Sequence, residues 1–197
     1  MKKTMLLTLA CAAMVSASAQ KQPKTPYWLD PAQNRVGTVS VRSDFFPYES
    51  SALATAADKQ ASRRYLSLEG KWKFHFAQNH NEAPEGFFNP GFNDADWELF
   101  PVPGLFELNG HGDAIYKNIG YAWATQFAPN PPMVEEKNNY TGSYRRTVSV
   151  PADWKGQRIF LHVGSATSNL SVWVNGRFVG YSEDSRATVS MTTSPSL

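Results

Sequence analysis

The pair Asn175-Gly176, set between two apolar runs, constrains this chain more than any other feature. A type I′ turn needs positive φ at both central residues, and Asn-Gly supplies it at low cost. The flanking runs, Leu170-Ser171-Val172-Trp173-Val174 and Arg177-Phe178-Val179-Gly180-Tyr181, carry the β-branched and aromatic residues that strands favour. The spacing predicts a hairpin with Val174 opposite Arg177 and Trp173 opposite Phe178. Lys71-Trp72-Lys73-Phe74-His75-Phe76 alternates strictly. It places Trp72, Phe74 and Phe76 on one face of a strand and Lys71, Lys73 and His75 on an outward, solvated face. The same period puts Ile159, Leu161 and Val163 inward within 158–163. It recurs less cleanly over 143–150, where Tyr144, Val148 and Val150 share a face that Arg146 interrupts. Loops between these runs are marked by Pro84, Pro90, Pro101, Pro103, Pro129, Pro131 and Pro132. Only the Ala-rich stretch 52–61 suggests a helical turn or two. The prediction is an all-β fold, an antiparallel β-sandwich of jelly-roll type.

Composition narrows the function. Hydrophobic residues are 42% and charged residues 18% of 197, which excludes a disordered charged tail. Net charge is +2, with no basic cluster of the kind a nucleic-acid binder carries. Lys2 and Lys3, a dozen mostly apolar residues and Ala17-Ser18-Ala19 read as a secretory leader over 1–19, cleaved before Gln20. An apolar run that short falls below the ~20 residues a membrane span needs. The expectation is an exported chain, periplasmic or extracellular, with no membrane partner. Cys11 is the one cysteine and lies in the leader, so the mature chain has no thiol chemistry.

Residues 20–62 read as an extended arm rich in proline, one that drapes over another surface or moves freely. Nucleotide-binding loops and a Gly-x-Ser-x-Gly elbow are absent. His75, His80, His111 and His162 are scattered, and Glu135-Glu136 reads as solvated. Two positions stand out. Asp184 follows directly on the hairpin, where a carboxylate can accept two sugar hydroxyls or ligate a hard cation. Asn118 lies in Ile115-Tyr116-Lys117-Asn118-Ile119-Gly120-Tyr121, among aromatics, able to donate and accept together. Ordinary loop hydrogen bonding remains the competing reading of both.

Several stretches resemble a known family. They are Leu68-Glu69-Gly70-Lys71-Trp72-Lys73-Phe74, Asp96-Trp97 with Val102-Pro103, Ile115-Tyr116-Lys117-Asn118 and Asn130-Pro131-Pro132. Thr141-Gly142-Ser143-Tyr144-Arg145-Arg146, Val172-Trp173-Val174-Asn175-Gly176 and Val179-Gly180-Tyr181-Ser182 follow in order. The set resembles the amino-terminal sugar-binding domain of glycoside hydrolase family two. Trp28-Leu29-Asp30-Pro31 with Asn34-Arg35 is similar to the arm of its large bacterial β-galactosidases.

The resemblance implies a galactose-binding-like jelly roll over 63–186, incomplete at the C-terminus. It implies retaining hydrolysis of β-galactosides by two glutamates in a barrel outside this sequence, so no residue here is catalytic. Asn118 and Asp184 then match substrate contacts, and Asp184 also matches a ligand of a sodium ion, with magnesium elsewhere in the full-length family. It implies a homo-oligomer at full length. The alternatives are a free-standing carbohydrate-binding module, its tryptophans stacking on sugars, and a related family-two β-glycosidase. Residues 187–197 read as a polar, patternless tail, and a frameshift or assembly break just after Arg186 is the expectation.

Overall fold

The computed structural model describes residues 26–115, 133–135, 139–185 and 187–193. The leader, Asn118, Asn130-Pro131-Pro132 and Arg186 lie outside the described residues.

The hairpin forms as its turn chemistry requires. Asn175 has φ 50° and Gly176 φ 80°. Strand β6 (Leu170–Val174) pairs antiparallel with β7 (Arg177–Ser182), with Val174 opposite Arg177 and Trp173 opposite Phe178. Strand β2 (Gly70–Ala77) pairs on one side with β3 (Glu98–Val102) and on the other with β4 (Thr141–Arg145), both antiparallel. Strand β5 (Phe160–Val163) points Leu161 and Val163 inward and leaves Phe160 and His162 exposed, as its period predicts. One short helix, α1 (Ser51–Ala56), falls within the Ala-rich stretch, its N-terminus capped by Ser50 Oγ accepting from the Leu53 N–H at 3.2 Å. Among the described residues no helix is long and apolar enough to cross a membrane. The protein is all-β, built from antiparallel sheets.

Four readings of the sequence need correction. The tail is not patternless, because Val189–Thr192 is strand β8, paired antiparallel with β5. Val189, Met191 and Thr193 are buried, while Ser190 and Thr192 are not. Only two of the three inward residues are strongly apolar, so the period is faint. Strand β4 stops at Arg145, and Val148 is exposed. The cause is Arg146, which turns to place its guanidinium over the Trp72 ring and donates to the Glu69 carbonyl at 3.0 Å.

The outer face of β2 is only partly open to water, with Lys71 exposed and Lys73 and His75 half-buried. The loop after η-turn residues 80–82 and before β3 covers it. Lys73 Nζ donates to the carbonyls of Ala95 and Trp97 at 3.1 and 3.2 Å. His75 lies 5.5 Å from the Trp97 ring, its Nδ1 buried. Lastly, the arm lies on the sandwich itself. Strand β1 (Arg35–Val36) adds to the free edge of β7. Thr38 bridges to Met191 on β8, and the Val39 N–H donates to the Ser190 carbonyl at 2.8 Å. Tyr27 stacks 5.1 Å from Tyr181, and Trp28 meets His80 edge-on at 4.1 Å. The segment 27–39 thereby joins the hairpin to the far end of β2.

Two cores result. Val179, Val189 and Met191 form one, with Val163, Leu170, Val172 and Val174 packed round them. The other is aromatic: Phe74 lies 4.4 Å from Phe100 and 4.8 Å from Tyr144. An open cleft of about 4000 Å³ is lined by residues of several strands, among them Trp72, Tyr144, Leu161, Leu170 and Val172.

Candidate functional site

Asp184 stands two residues past the end of β7, and every segment around that point is tied down. The Tyr181 side chain is fully buried, and its hydroxyl donates to Glu183 Oε1 at 2.6 Å. Burial, then this hydrogen bond to a carboxylate, pushes the Tyr181 phenol well above its usual pKa. The Glu183 N–H donates to the Asn34 carbonyl at 3.1 Å. The Asp184 N–H donates to Ser182 Oγ at 3.4 Å. On the far side, Ser165 Oγ donates to the Ser185 carbonyl at 2.9 Å, and Ser185 Oγ donates to the Ser168 carbonyl at 3.3 Å. The loop is held between the arm and the β5–β6 connection.

The Asp184 carboxylate is itself in an ion pair with the Arg35 guanidinium. The two side chains are 40% and 28% exposed, so the pair sits at the lip of the sheet with one side toward water. Asn34, Arg35, Glu183 and Asp184 line a shallow notch there. Chemically, a fixed carboxylate beside a fixed guanidinium suits a vicinal diol, since it presents acceptors and donors side by side. A cation is a different matter. Its charge would fall beside Arg35, and among the described residues no group of three or more His, Cys, Asp or Glu is placed to share a metal.

Asn118 lies outside the described residues, and so does the question of whether it approaches Asp184. The residues at the two ends of its segment are described. His111 Nε2 meets Glu98 Oε1 at 2.7 Å while its ring stacks 5.0 Å from Phe76. The Tyr140 hydroxyl donates to Asp113 Oδ2, which raises the Tyr140 pKa. Asp113 and Tyr140 thus tie together the start and finish of 114–139. Glu136 of the acidic pair is outside the described residues.

The residue that sequence reasoning missed is Arg35. An arginine in a proline-rich arm has no period to mark it. Its neighbour Gly37 gives the one local hint: with φ +67°, a Cβ there would stand 2.2 Å from the Val179 carbonyl oxygen. The arm must therefore approach β7 closely, which only glycine permits.

The described tryptophans are all committed inside the fold. Trp72 Nε1 donates to the Leu68 carbonyl and Trp154 Nε1 to the Arg63 carbonyl, each at 2.7 Å. Trp173 stacks 5.2 Å from Phe88, and Trp97 packs on Phe92 at 5.6 Å. Trp28 is the ring that meets His80.

Known proteins resemble this chain. A "Beta-galactosidase" of Priestia megaterium is 37% identical over 139 residues, 71% of this chain and 13% of that protein. The "Beta-galactosidase large subunit" of Leuconostoc lactis is 36% identical over 171 residues, 80% of this chain and 27% of that protein. Among solved structures, the β-glucuronidase of Lactobacillus rhamnosus aligns over 67% of this chain and 18% of its own, at 22% identity and a TM-score of 0.44. The chain thus spans between 13% and 27% of the two β-galactosidases it matches. Residues 65–196 match the family described as "Glycosyl hydrolases family 2, sugar binding domain". That match runs past Arg186 and includes β8, so it gives no break at the point where the sequence suggested one. The 197 residues cover the sugar-binding domain and not the catalytic domain, and the chain belongs to glycosyl hydrolase family 2.

Proposed function

We propose that this chain is the sugar-contacting amino-terminal part of an exported β-galactosidase. In this reading Asp184 accepts hydroxyls of a terminal galactose, and Asn118 makes a second contact from its own loop. The two carboxyls of retaining hydrolysis, about 5 Å apart, belong to a separate catalytic domain. This domain binds and orients the sugar. It moves no proton and forms no covalent intermediate. The observation that carries the reading is the placing of Asp184: a solvent-facing carboxylate at the mouth of a loop that is pinned on both sides. The two β-galactosidase relatives supply the sugar class. The leader over residues 1–19 supplies the export, and assembly into an oligomer follows the same reading.

The test joins residues 20–197 to the catalytic remainder of the Priestia megaterium β-galactosidase. Loss of a hydrogen bond to a charged group costs about 1.5–3 kcal/mol, or roughly 10- to 100-fold. Asp184→Ala should lower kcat/KM for lactose by that factor, and Asn118→Ala, which removes a neutral hydrogen bond of about 0.5–1.5 kcal/mol, by roughly 2- to 10-fold. Equal hydrolysis by the double variant would end the proposal. The 197 residues alone should hydrolyse no lactose. A free-standing carbohydrate-binding module is less well supported, because the described tryptophans are half-buried and held by indole hydrogen bonds or ring contacts within the domain.

A further inference from the structure

We infer that Arg35 is a positioning residue for the sugar site: the amino-terminal arm reaches across β7 to orient the Asp184 carboxylate. The inference rests on the sugar-binding reading of Asp184 and extends it to a segment outside the matched family residues, which begin at 65.

Four contacts along the pairing of the arm with β7 bring Arg35 to that place. Its backbone is strand β1, in register with β7 so that Arg35 faces Ser182 and Val36 faces Tyr181. The next residue of the arm on one side, Asn34, accepts from the Glu183 N–H. On the other side Gly37 lies against the Val179 carbonyl with no room for a side chain. Gly180 answers from β7, where a Cβ would stand 2.7 Å from the Val36 carbonyl oxygen. The arm is therefore seated by its backbone on both sides of Arg35, and the guanidinium is delivered to Asp184 rather than finding it by chance.

A carboxylate on a surface loop ordinarily samples several rotamers. A planar guanidinium seated on a β-ladder restricts it, because the donor fork is fixed in direction. Preorganisation of this kind lowers the ordering cost of binding a small polar ligand. The pair is also half-exposed, where an ion pair adds little to folding. Its value lies in direction. It follows that the working domain starts near Tyr27, well before the matched residues.

The test uses the whole 197-residue protein. The probe is D-galactose, and the readout is the backbone amide resonances of Glu183 and Asp184. In the native protein, added D-galactose should shift both resonances. Arg35→Gln should weaken that response at least tenfold, and Arg35→Lys should restore part of it. On an Asp184→Asn background, Arg35→Gln should have no further effect. A galactose response intact in Arg35→Gln overturns the inference and leaves the pair a structural contact. If the native protein shows no response to galactose, the sugar reading of Asp184 is decided by lactose hydrolysis in the joined protein. The positioning claim is then decided by the resonances without sugar. Movement of Asp184 in Arg35→Gln that is reversed in Arg35→Lys upholds it, and indifference to both variants overturns it.

Discussion

The two halves of this domain are held by different means. In the sheet β3-β2-β4 the core is made of rings. Phe74 is 1% exposed and touches Phe100, Phe106, His111 and Tyr144, with centroids 4.4 to 5.7 Å away. Gly142 completes it, since a Cβ there would lie 2.7 Å from Phe106 and 2.8 Å from Phe74. In the half built from β1, β5, β6, β7 and β8 the clustered core is aliphatic, Val179, Val189 and Met191, with Tyr181 buried beneath the arm, and backbone lies close on backbone. The ring core depends on volume. The second half depends on close approach, with Gly37 and Gly180 as its contact points, and Asp184 stands on this second half. A site that needs a fixed carboxylate lies where the backbone is seated by ladders and not by packing alone.

The sharpest way to break this contrast is Phe74→Ala. Removing a fully buried phenylalanine costs about 3–5 kcal/mol. That is a large part of the roughly 5–15 kcal/mol by which an ordinary domain is stable. The expected outcome in a urea melt is loss of the cooperative transition. A midpoint within experimental error of the native protein would show that the ring cluster is not a core.

Gly37→Val should act next, and locally. A side chain there meets the Val179 carbonyl and a φ of +67°, so the arm must leave β7. The expectation is a loss on the order of 1–3 kcal/mol for the strained residue, together with rapid proteolysis before residue 40 and an unaltered β2–β4 sheet. Cleavage at the native rate would show that the arm is seated by something other than this contact.

The smallest effect is one of pH. Burial raises the Tyr181 phenol above its ordinary value near 10. A raised folded pKa means that the folded state binds the proton more tightly. The stabilisation is present in full below the unfolded pKa and is lost as pH rises past it. Stability should therefore fall above about pH 10. Tyr181→Phe should flatten part of that fall, and Tyr144, raised by burial in the ring core, accounts for another part. An alkaline limb of the same slope in Tyr181→Phe would show that Tyr181 does not carry it.

Most of the elements were legible in the sequence. The hairpin was legible to the residue, because Asn175-Gly176 sets both the turn and the register. Strand β2 was legible from its alternation, but the burial of Lys73 and His75 was not. That burial depends on Trp97 and Ala95 folding over them, and alternation says which residues share a face without saying what covers it. Residues 189–193 alternate too, yet serine and threonine occupy enough positions to hide the period. At the candidate site, Asp184 was singled out by its place after a well-marked strand, while Arg35 entered only as part of the family resemblance and not as a partner of Asp184.

By itself the sequence determined what is local: a turn that demands positive φ and strands that alternate. The tertiary structure alone decided which strand edges meet: β1 on β7, β8 on β5, and a guanidinium from the arm on the carboxylate after the hairpin. Periodicity fixes which way a side chain faces, because it is a property of one backbone. Partnership between strands far apart in sequence depends on which edges remain free once the nearer pairs have closed, and no single segment carries that information.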